Sequence, residues 1–118
     1  MLNELGQQIQ QEFRANDALC QRVIRLIQLL ANKCRFRILC VLTRGEFCVN
    51  DIAEIVGETK LSNISQQLRL LTLAGVVTRR RHGREILYRL ADERVRELID
   101  HLRRTHLHAD AAELSSSK

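Results

Sequence analysis

The chain has 118 residues, of which 45% are hydrophobic and 28% are charged, and its formal net charge is +5. This composition is ordinary for a soluble globular protein, and the length predicts one domain over residues 1–118. No apolar run has membrane-spanning length and no signal peptide is present, so the sequence predicts a cytoplasmic protein. In that compartment the four cysteines are expected as free, redox-active or metal-binding thiols, not as a disulfide scaffold.

The positive charge is concentrated in one segment of the chain. Residues 1–59 contain seven basic and seven acidic residues, and residues 91–118 contain five and six. Residues 60–90 contain seven basic residues and a single acid. A solvated surface is expected to mix both signs, whereas a surface that faces phosphates needs such an excess. The charge pattern therefore predicts a nucleic-acid contact within residues 60–90.

Apolar spacing predicts two helices at the start of the chain. The first covers residues 2–15 and makes residues 1–16 an N-terminal helical extension. The second is expected to be capped by Asn16 or Asp17 and to end near Ala31. Its apolar stripe comprises Leu19, Val23, Leu26, Ile27 and Leu30.

Two short helices should follow. The first, from Arg35 to Thr43, is nearly all apolar, so it is expected to be buried on most sides and to end at Gly45. The second, from Val49 to Val56, has Asn50 or Asp51 near its start, and Gly57 should end it.

The next helix is polar on one face and apolar on the other. Ser62 is the expected N-cap and Gly75 the expected end. The polar face carries Ser62, Asn63, Ser65, Gln66, Gln67 and Arg69. Hydroxyl, amide and guanidinium groups pair with base edges and phosphates, so this helix is expected to lie in a DNA major groove, with Gln67 in a helping role. Together with the helix before it, it forms a predicted helix-turn-helix.

A β-hairpin is predicted after this helix. Its strands are Val76–Thr78 and Glu85–Leu90, and the link contains His82-Gly83. Five residues of the hairpin should contact phosphates or the minor groove, namely Arg79, Arg80, Arg81, His82 and Arg84. We call the hairpin the wing.

The last helix is predicted to begin at Asp92, and its apolar stripe should pack on its own domain or on a second copy. The stripe comprises Val95, Leu98, Ile99 and Leu102. Residues 109–118 are polar and are expected to be frayed. The predicted fold class is therefore mainly α with a small β-hairpin (α+β), a dimeric winged helix-turn-helix with five to six helices.

With its elements in this order, the chain resembles the ArsR/SmtB family of small dimeric winged-helix repressors over about residues 18–105. The matching stretches are LLANKCRFRILCVL, GEFCVNDIAEIVG and LSNISQQLRLLTLAGVVTRRRHGREILYRL. The resemblance implies a homodimer formed through the first and last helices. It also implies binding to double-stranded operator DNA that is relieved by a chemical signal.

The chain departs from the family pattern at three places. Lys33 stands where members usually have proline. The arsenic- and cadmium-responsive members carry two cysteines one residue apart, and here those positions are Cys48 and Asn50. Zinc-responsive members use an Asp-x-His pair in the last helix, and here Asp92 is followed by Arg94. Neither metal site of the family is intact, and no metal or cofactor is expected.

Cys40 lies where the chain resembles the sulfide- and redox-responsive members of the family, in the stretch ILCVL. A persulfide or oxidant acting on Cys40 is therefore the leading hypothesis for the signal. The last helix contains no cysteine, so an intramolecular partner must be Cys20, Cys34 or Cys48, with Cys48 preferred. The alternative is that Cys40 is a small buried hydrophobe.

Two other groups are weaker candidates for sensing. Cys34 lies among Lys33, Arg35 and Arg37, which should favour its thiolate if the thiol is exposed, although an unreactive helix-start residue is the alternative. Histidines near the chain end could hold a metal across a dimer axis, or could simply be solvated. They are His101, His106 and His108, with Asp100 and Asp110 nearby.

Other functions are disfavoured. No nucleophile elbow, phosphate loop or paired acids indicate an enzyme, so no catalytic residue is predicted. A metal- or metalloid-responsive repressor of the same fold remains an alternative for the signal. A protein-interaction module without DNA binding would leave the segregated charge unexplained. A metal-storage or redox protein is disfavoured by the scattered cysteines.

Overall fold

The computed structural model describes residues 1–107 and shows the predicted fold class, helices with a two-stranded antiparallel hairpin. In chain order the elements are α1 (Glu4–Ala15), α2 (Asp17–Leu30), α3 (Lys33–Leu42), α4 (Val49–Val56), α5 (Leu61–Leu73), β1 (Val77–His82), β2 (Glu85–Leu90), α6 (Glu93–Leu102) and a π-helical turn (Arg103–Leu107). The chain divides into two compact units, residues 1–32 and the part from Lys33 onward. Within residues 1–107, no helix is long and apolar enough to cross a membrane.

The first unit consists of two amphipathic helices. The Asn3 side chain caps α1 by accepting the N–H of Gly6 at 2.8 Å. Asn16 caps no N–H of α2, because its amide donates to the carbonyl of Glu12 and so closes α1 instead. Neither helix has a buried residue. The large apolar side chains of this unit that are at least 40% exposed are Met1, Leu2, Leu5, Ile9, Phe13, Leu19, Val23, Ile24 and Ile27. The first unit therefore has many large apolar side chains at its surface, and groups of such side chains commonly mark interaction sites.

The core of the second unit is formed by α3 to α6 and the base of the hairpin. Its buried apolar residues are Ile38, Leu39, Leu42, Ile52, Ala53, Ile64, Leu68, Leu71, Val76, Val77, Leu90, Val95 and Ile99. Burial of these side chains is the main stabilising term for the helix-turn-helix. The predicted stripe of α6 is divided, because Val95 and Ile99 are fully buried whereas Leu98 is 37% exposed and Leu102 half-buried.

Most predicted helix ends are confirmed. The α4 helix spans the predicted residues and ends at Gly57, whose φ of 79° is left-handed and suits glycine. The Asp92 carboxylate caps α6 by accepting the N–H of Arg94 at 2.9 Å. The α3 helix is longer at its start than predicted and ends before Gly45, at Leu42.

The predicted N-cap of α5 is wrong. The helix begins at Leu61 with Lys60 at the N-cap position, so Ser62 lies inside the first turn. The Glu58 carboxylate organises this helix start, since it accepts the backbone N–H of Lys60 and the side-chain amide of Asn63, both at 3.0 Å. These bonds lower the pKa of Glu58, the Lys60 bond most strongly.

The two wing strands pair in a single register, from Val77 opposite Leu90 to His82 opposite Glu85. Gly83 forms the turn with a φ of 64°. The loop between α3 and α4 adds a short third pairing, because Phe47 and Tyr88 exchange backbone N–H···O bonds of 3.2 and 2.9 Å. The base of the wing is thereby fixed to the helical core.

Candidate nucleic-acid interface

The α5 helix separates an inner apolar face from an outer polar face. Ile64, Leu68 and Leu71 are fully buried. The side chains of Ser62, Ser65, Gln66 and Arg69 are exposed. Helical spacing produces this division, since residues three or four apart share a face. The outer face therefore offers hydroxyl, amide and guanidinium groups to a partner.

Two of the predicted DNA-contacting residues, Asn63 and Gln67, lie between these faces and are half-buried. Arg35 Nη1 donates to Gln67 Oε1 at 2.9 Å, and Gln67 Nε2 donates to Asn63 Oδ1 at 3.3 Å. Asn63 Nδ2 in turn donates to Glu58 Oε2 at 3.0 Å. This chain of hydrogen bonds joins α3 to the turn that precedes α5. The two amides therefore hold α5 in place from inside the domain.

The wing residues are divided between two faces of the hairpin. Side chains alternate along a strand, and directly opposite residues share a face. Arg79 and Arg81 therefore lie on the face of their partners Tyr88 and Ile86. Arg80 and His82 lie on the other face, with their partners Leu87 and Glu85. All five predicted wing contacts are exposed, including Arg84 in the turn.

Arg80 is engaged within the domain. Its Nε lies 2.8 Å from Glu46 Oε2 and its Nη2 lies 3.2 Å from Glu46 Oε1. The hydrogen bonding lowers the pKa of Glu46. Arg80 is 48% exposed, so the pair lies at the surface, but its paired geometry sets the direction of the guanidinium. The loop between α3 and α4 thus contacts the wing through the side chain of Glu46 as well as through the backbone of Phe47.

A groove of about 430 Å³ separates α5 from the wing. It is lined by Ser65, Arg69, Thr72 and Leu73 of α5 and by Arg79 and Tyr88 of the wing. We call this groove the notch. Neither Tyr88 nor Thr72 was predicted from the sequence as part of the site. The pairing of the two strands would have indicated Tyr88, because it lies directly opposite Arg79.

Comparison with known proteins identifies the family. The model of the bacterial regulatory proteins of the arsR family matches residues 32–79. A transcriptional repressor from Synechocystis described as an SmtB homolog is 37% identical over 103 residues, which cover 84% of this chain and 76% of that protein. The chain belongs to the ArsR family. It spans 65% and 63% of the length of two other regulators that it matches.

Solved structures of ArsR-family proteins have the same fold. The crystal structure of the repressor BigR from Xylella fastidiosa superimposes with a TM-score of 0.68 at 30% identity, covering 84% of this chain and 95% of that one. A homodimeric winged helix-turn-helix DNA-binding domain from Mycobacterium bovis superimposes with a TM-score of 0.63 at 35% identity, covering 77% and 91%. These relatives are described as transcriptional repressors or as a DNA-binding domain, and none of them as an enzyme.

Cys40 of this ArsR-family chain is half-buried at the edge of the core. Its thiol lines two adjoining surface grooves together with Val41 and Ile55. The α3 helix is therefore less completely buried than predicted. Three arginines also line these grooves, namely Arg37, Arg44 and Arg103. Burial raises the pKa of Cys40 most strongly, Arg103 lowers it, and Asp100 raises it.

The condition for activation of Cys34, an exposed thiol, is not met. The pKa of this half-buried thiol is raised, first by burial and then by the nearby Glu58, and these effects exceed the lowering by Arg35 and Arg37. Its sulfur lies 4.0 Å from Asn63 Nδ2, beside the hydrogen-bond chain described above. Sequence proximity to basic residues did not reveal the acid contributed by the turn before α5.

Within residues 1–107 the remaining metal and thiol candidates form neither a disulfide nor a metal-binding group. All four cysteines are free and half-buried, including Cys20 and Cys48. No group of three His, Cys, Asp or Glu side chains within residues 1–107 could hold a metal ion. Two members of the predicted histidine cluster, His108 and Asp110, and the predicted frayed tail lie outside the described residues.

Proposed function

We propose that this protein is a homodimeric transcriptional repressor that binds an inverted-repeat operator in double-stranded DNA. The observation that carries the proposal is the exposed polar face of α5 beside the basic wing. This is the one segment of the chain with a large excess of positive charge. A helix in the major groove with an adjacent basic hairpin is the winged-helix mode of DNA binding. The DNA-binding domain from Mycobacterium bovis supports the proposal through its similar fold.

The structural positions suggest different roles for the predicted DNA contacts. Exposed side chains of α5, above all Gln66, read base edges. The exposed wing residues grip phosphates or the minor groove. They are Arg79, Arg81, His82 and Arg84, with Arg80 held by Glu46. Asn63 and Gln67 position α5 through their internal hydrogen bonds.

Gln66→Ala tests the assignment of α5. A glutamine that pairs with adenine through two hydrogen bonds contributes about 1–3 kcal/mol of discrimination. The variant should bind random DNA as wild type does and lose preference for the selected operator at one base position per half-site. Binding is measured by fluorescence anisotropy on both duplexes. The neighbouring Gln67→Ala is the matched control, and it should weaken binding to both duplexes because it loosens α5. Equal losses on both duplexes for Gln66→Ala would contradict the base-reading role.

The homodimer is proposed from the exposed apolar faces of α2 and α6. Leu19, Val23 and Ile27 are each about half exposed on α2, and Leu98 of α6 is 37% exposed. Covering such faces with a second copy removes apolar surface from water and creates a two-fold interface.

Sedimentation tests this interface at micromolar concentration. Wild type should sediment as a dimer. Leu98→Lys should shift it towards monomer, because the substitution places a charge in the interface but leaves the buried face of α6 intact. Glu97→Lys, the exposed neighbour, is the control that should remain dimeric. A monomeric wild type, or an operator without dyad symmetry, would contradict the dimer.

The proposed signal is a persulfide or an oxidant that acts at Cys40, and the arginine-lined grooves beside the thiol support it. A persulfide donor R–S–SH would transfer its terminal sulfur to the Cys40 thiolate and leave as the thiolate R–S⁻. Attack by Cys48 on the Cys40 sulfur that is bonded to its side chain would then form a disulfide and release HS⁻. Either product adds bulk or a link beside a close-packed helix, which would shift α5 relative to the dimer axis.

Cys40→Ser tests the signal. Treatment with a persulfide donor should release wild type from the operator and leave the variant bound. Cys20→Ser, which removes a thiol from the first unit, is the control that should respond as wild type does. The release rate should rise as the pH is raised through the alkaline range, because the reaction needs the thiolate and burial raises the pKa of Cys40. Equal release of wild type and Cys40→Ser would exclude Cys40 as the sensor. Release by zinc or arsenite instead would favour the metal-responsive alternative.

A further inference from the structure

The notch between α5 and the wing brings two positive side chains together without an acid. Arg69 approaches it from the helix and Arg79 from the hairpin, and the other lining residues are uncharged. Within residues 1–107, neither guanidinium takes part in an ion pair. Arg80 differs from Arg79 in both respects, since it has a carboxylate partner and lies on the opposite face of β1. Two like charges that converge on one concave site without a counter-charge indicate an anionic ligand.

The hydrogen-bonding groups of the notch define the anion further. The Thr72 hydroxyl donates to the carbonyl of Leu68 at 2.7 Å, so its proton is already used. The backbone N–H and C=O of Tyr88 are both paired with Phe47. In the described part of the chain no hydrogen bond uses the Tyr88 hydroxyl, which leaves it as a neutral donor beside the two guanidinium groups. Two forked cations and an O–H donor suit an oxyanion such as a phosphate diester.

The geometry of B-DNA indicates where that phosphate comes from. One sugar–phosphate strand separates a major groove from the adjacent minor groove. If α5 occupies the major groove and the wing reaches the adjacent minor groove, as the proposed function requires, this strand must pass between them. The notch lies at that place in the protein.

We propose that the notch seats one backbone phosphate of each DNA half-site. Arg69 and Arg79 bind its oxygens from opposite sides, and the Tyr88 hydroxyl donates a third hydrogen bond. This inference rests on the proposed DNA-binding function and changes the predicted role of Arg69, which binds a phosphate and reads no base. It also adds Tyr88 to the DNA-binding residues.

The test couples single side chains to single phosphates. The probe is a duplex selected from a random library by the wild-type dimer, in which methylphosphonate replaces one phosphate at a time. One phosphate in each half-site should account for the effects of Arg69→Ala and Arg79→Ala. Each variant should bind the unmodified duplex at least tenfold more weakly than wild type, but should equal wild type on the duplex neutralised at that phosphate. Arg80→Ala is the matched control, since it removes the same charge one residue away. Its affinity relative to wild type should be the same on the unmodified and the neutralised duplex.

Tyr88→Phe provides a second readout that a loss of charge would not mimic. The variant should bind selected and random duplexes more weakly by the same factor, about tenfold for a hydrogen bond to a charged group. The slope of log affinity against log salt should stay unchanged, because no cation is lost. Circular dichroism of each variant confirms that the fold is retained.

The outcomes separate this inference from the proposed function. If wild type binds DNA but Arg69→Ala loses affinity for one base pair only, Arg69 reads a base and the phosphate seat is wrong. An unchanged affinity of Tyr88→Phe, or effects of Arg69→Ala and Arg79→Ala that persist on every methylphosphonate duplex, would also overturn it. If wild type binds no duplex at any salt concentration, the proposed function itself fails.

Discussion

Raising the salt concentration from 50 to 200 mM is expected to weaken binding of the dimer to duplex DNA by about 10³- to 10⁵-fold. The physical reason is counterion release, since a dimer that places several arginines of each wing on phosphates displaces about six to ten condensed cations. Exposed Arg79, Arg81 and Arg84 supply most of these contacts in each protomer. The measurement is a series of anisotropy titrations, and log affinity should fall linearly with log salt.

Arg81→Ala and Arg14→Ala provide the comparison. Arg81 lies in the wing and Arg14 in α1, and both side chains are exposed. Removing Arg81 from both protomers should make the salt slope shallower by about two units, because one phosphate contact is lost per half-site. Removing Arg14 should leave the slope as it is. An affinity that does not respond to salt would contradict DNA binding by the wing and would favour a protein-interaction module.

Leu68→Ala is expected to destabilise the protein by about 2–5 kcal/mol, a large part of the stability of a small domain. Leu68 is fully buried on the inner face of α5, where the truncation would leave a cavity among close-packed neighbours. Leu70→Ala is the matched control, since Leu70 is 41% exposed two residues away on the same helix and should cost less than about 1 kcal/mol. Urea unfolding measures the free energy of unfolding of both variants.

The affinity for DNA should also fall more in Leu68→Ala than in Leu70→Ala. A loosened inner face allows α5 to rock, so Leu68→Ala should weaken binding to selected and random DNA even where most molecules are folded. Similar unfolding free energies for Leu68→Ala and Leu70→Ala would contradict the inward orientation of Leu68. They would also remove the basis for placing Gln66 on the outer face, because the two orientations follow from the same helical period.

The sequence was sufficient for the fold because its local signals agree with one another. The apolar period of VNDIAEIV and the following Gly57 gave both ends of α4 correctly. The capping role of Asp92 and the turn at Gly83 were also predicted correctly, since each depends on residues that are close in sequence. The first strand was predicted too short, because it continues through the arginines that the prediction placed in the link and ends at His82 instead of Thr78. The start of α5 was missed because a serine ahead of an apolar series resembles an N-cap, whereas here Glu58 supplies the bonds that organise the helix start.

Much of the site could not be predicted, because its deciding contacts join residues far apart in the chain. Arg80 and its partner Glu46 are 34 residues apart in the sequence, and Gln67 and its partner Arg35 are 32 residues apart. A count of basic or amide residues in the sequence cannot tell a side chain held by such a partner from one that is free for DNA. The raised pKa of Cys34 has the same origin, since part of it comes from Glu58, which the sequence places 24 positions away.

The attachment of the wing to the loop between α3 and α4 has a consequence for engineering. Glu46 and Phe47 lie outside the hairpin, yet one pairs with Arg80 and the other extends the sheet at Tyr88. A hairpin grafted alone onto a relative would therefore lack the carboxylate that pairs with Arg80 and the backbone bridge from Phe47 to Tyr88. A chimaera intended to exchange wing specificity should carry these two residues as part of the transplanted module.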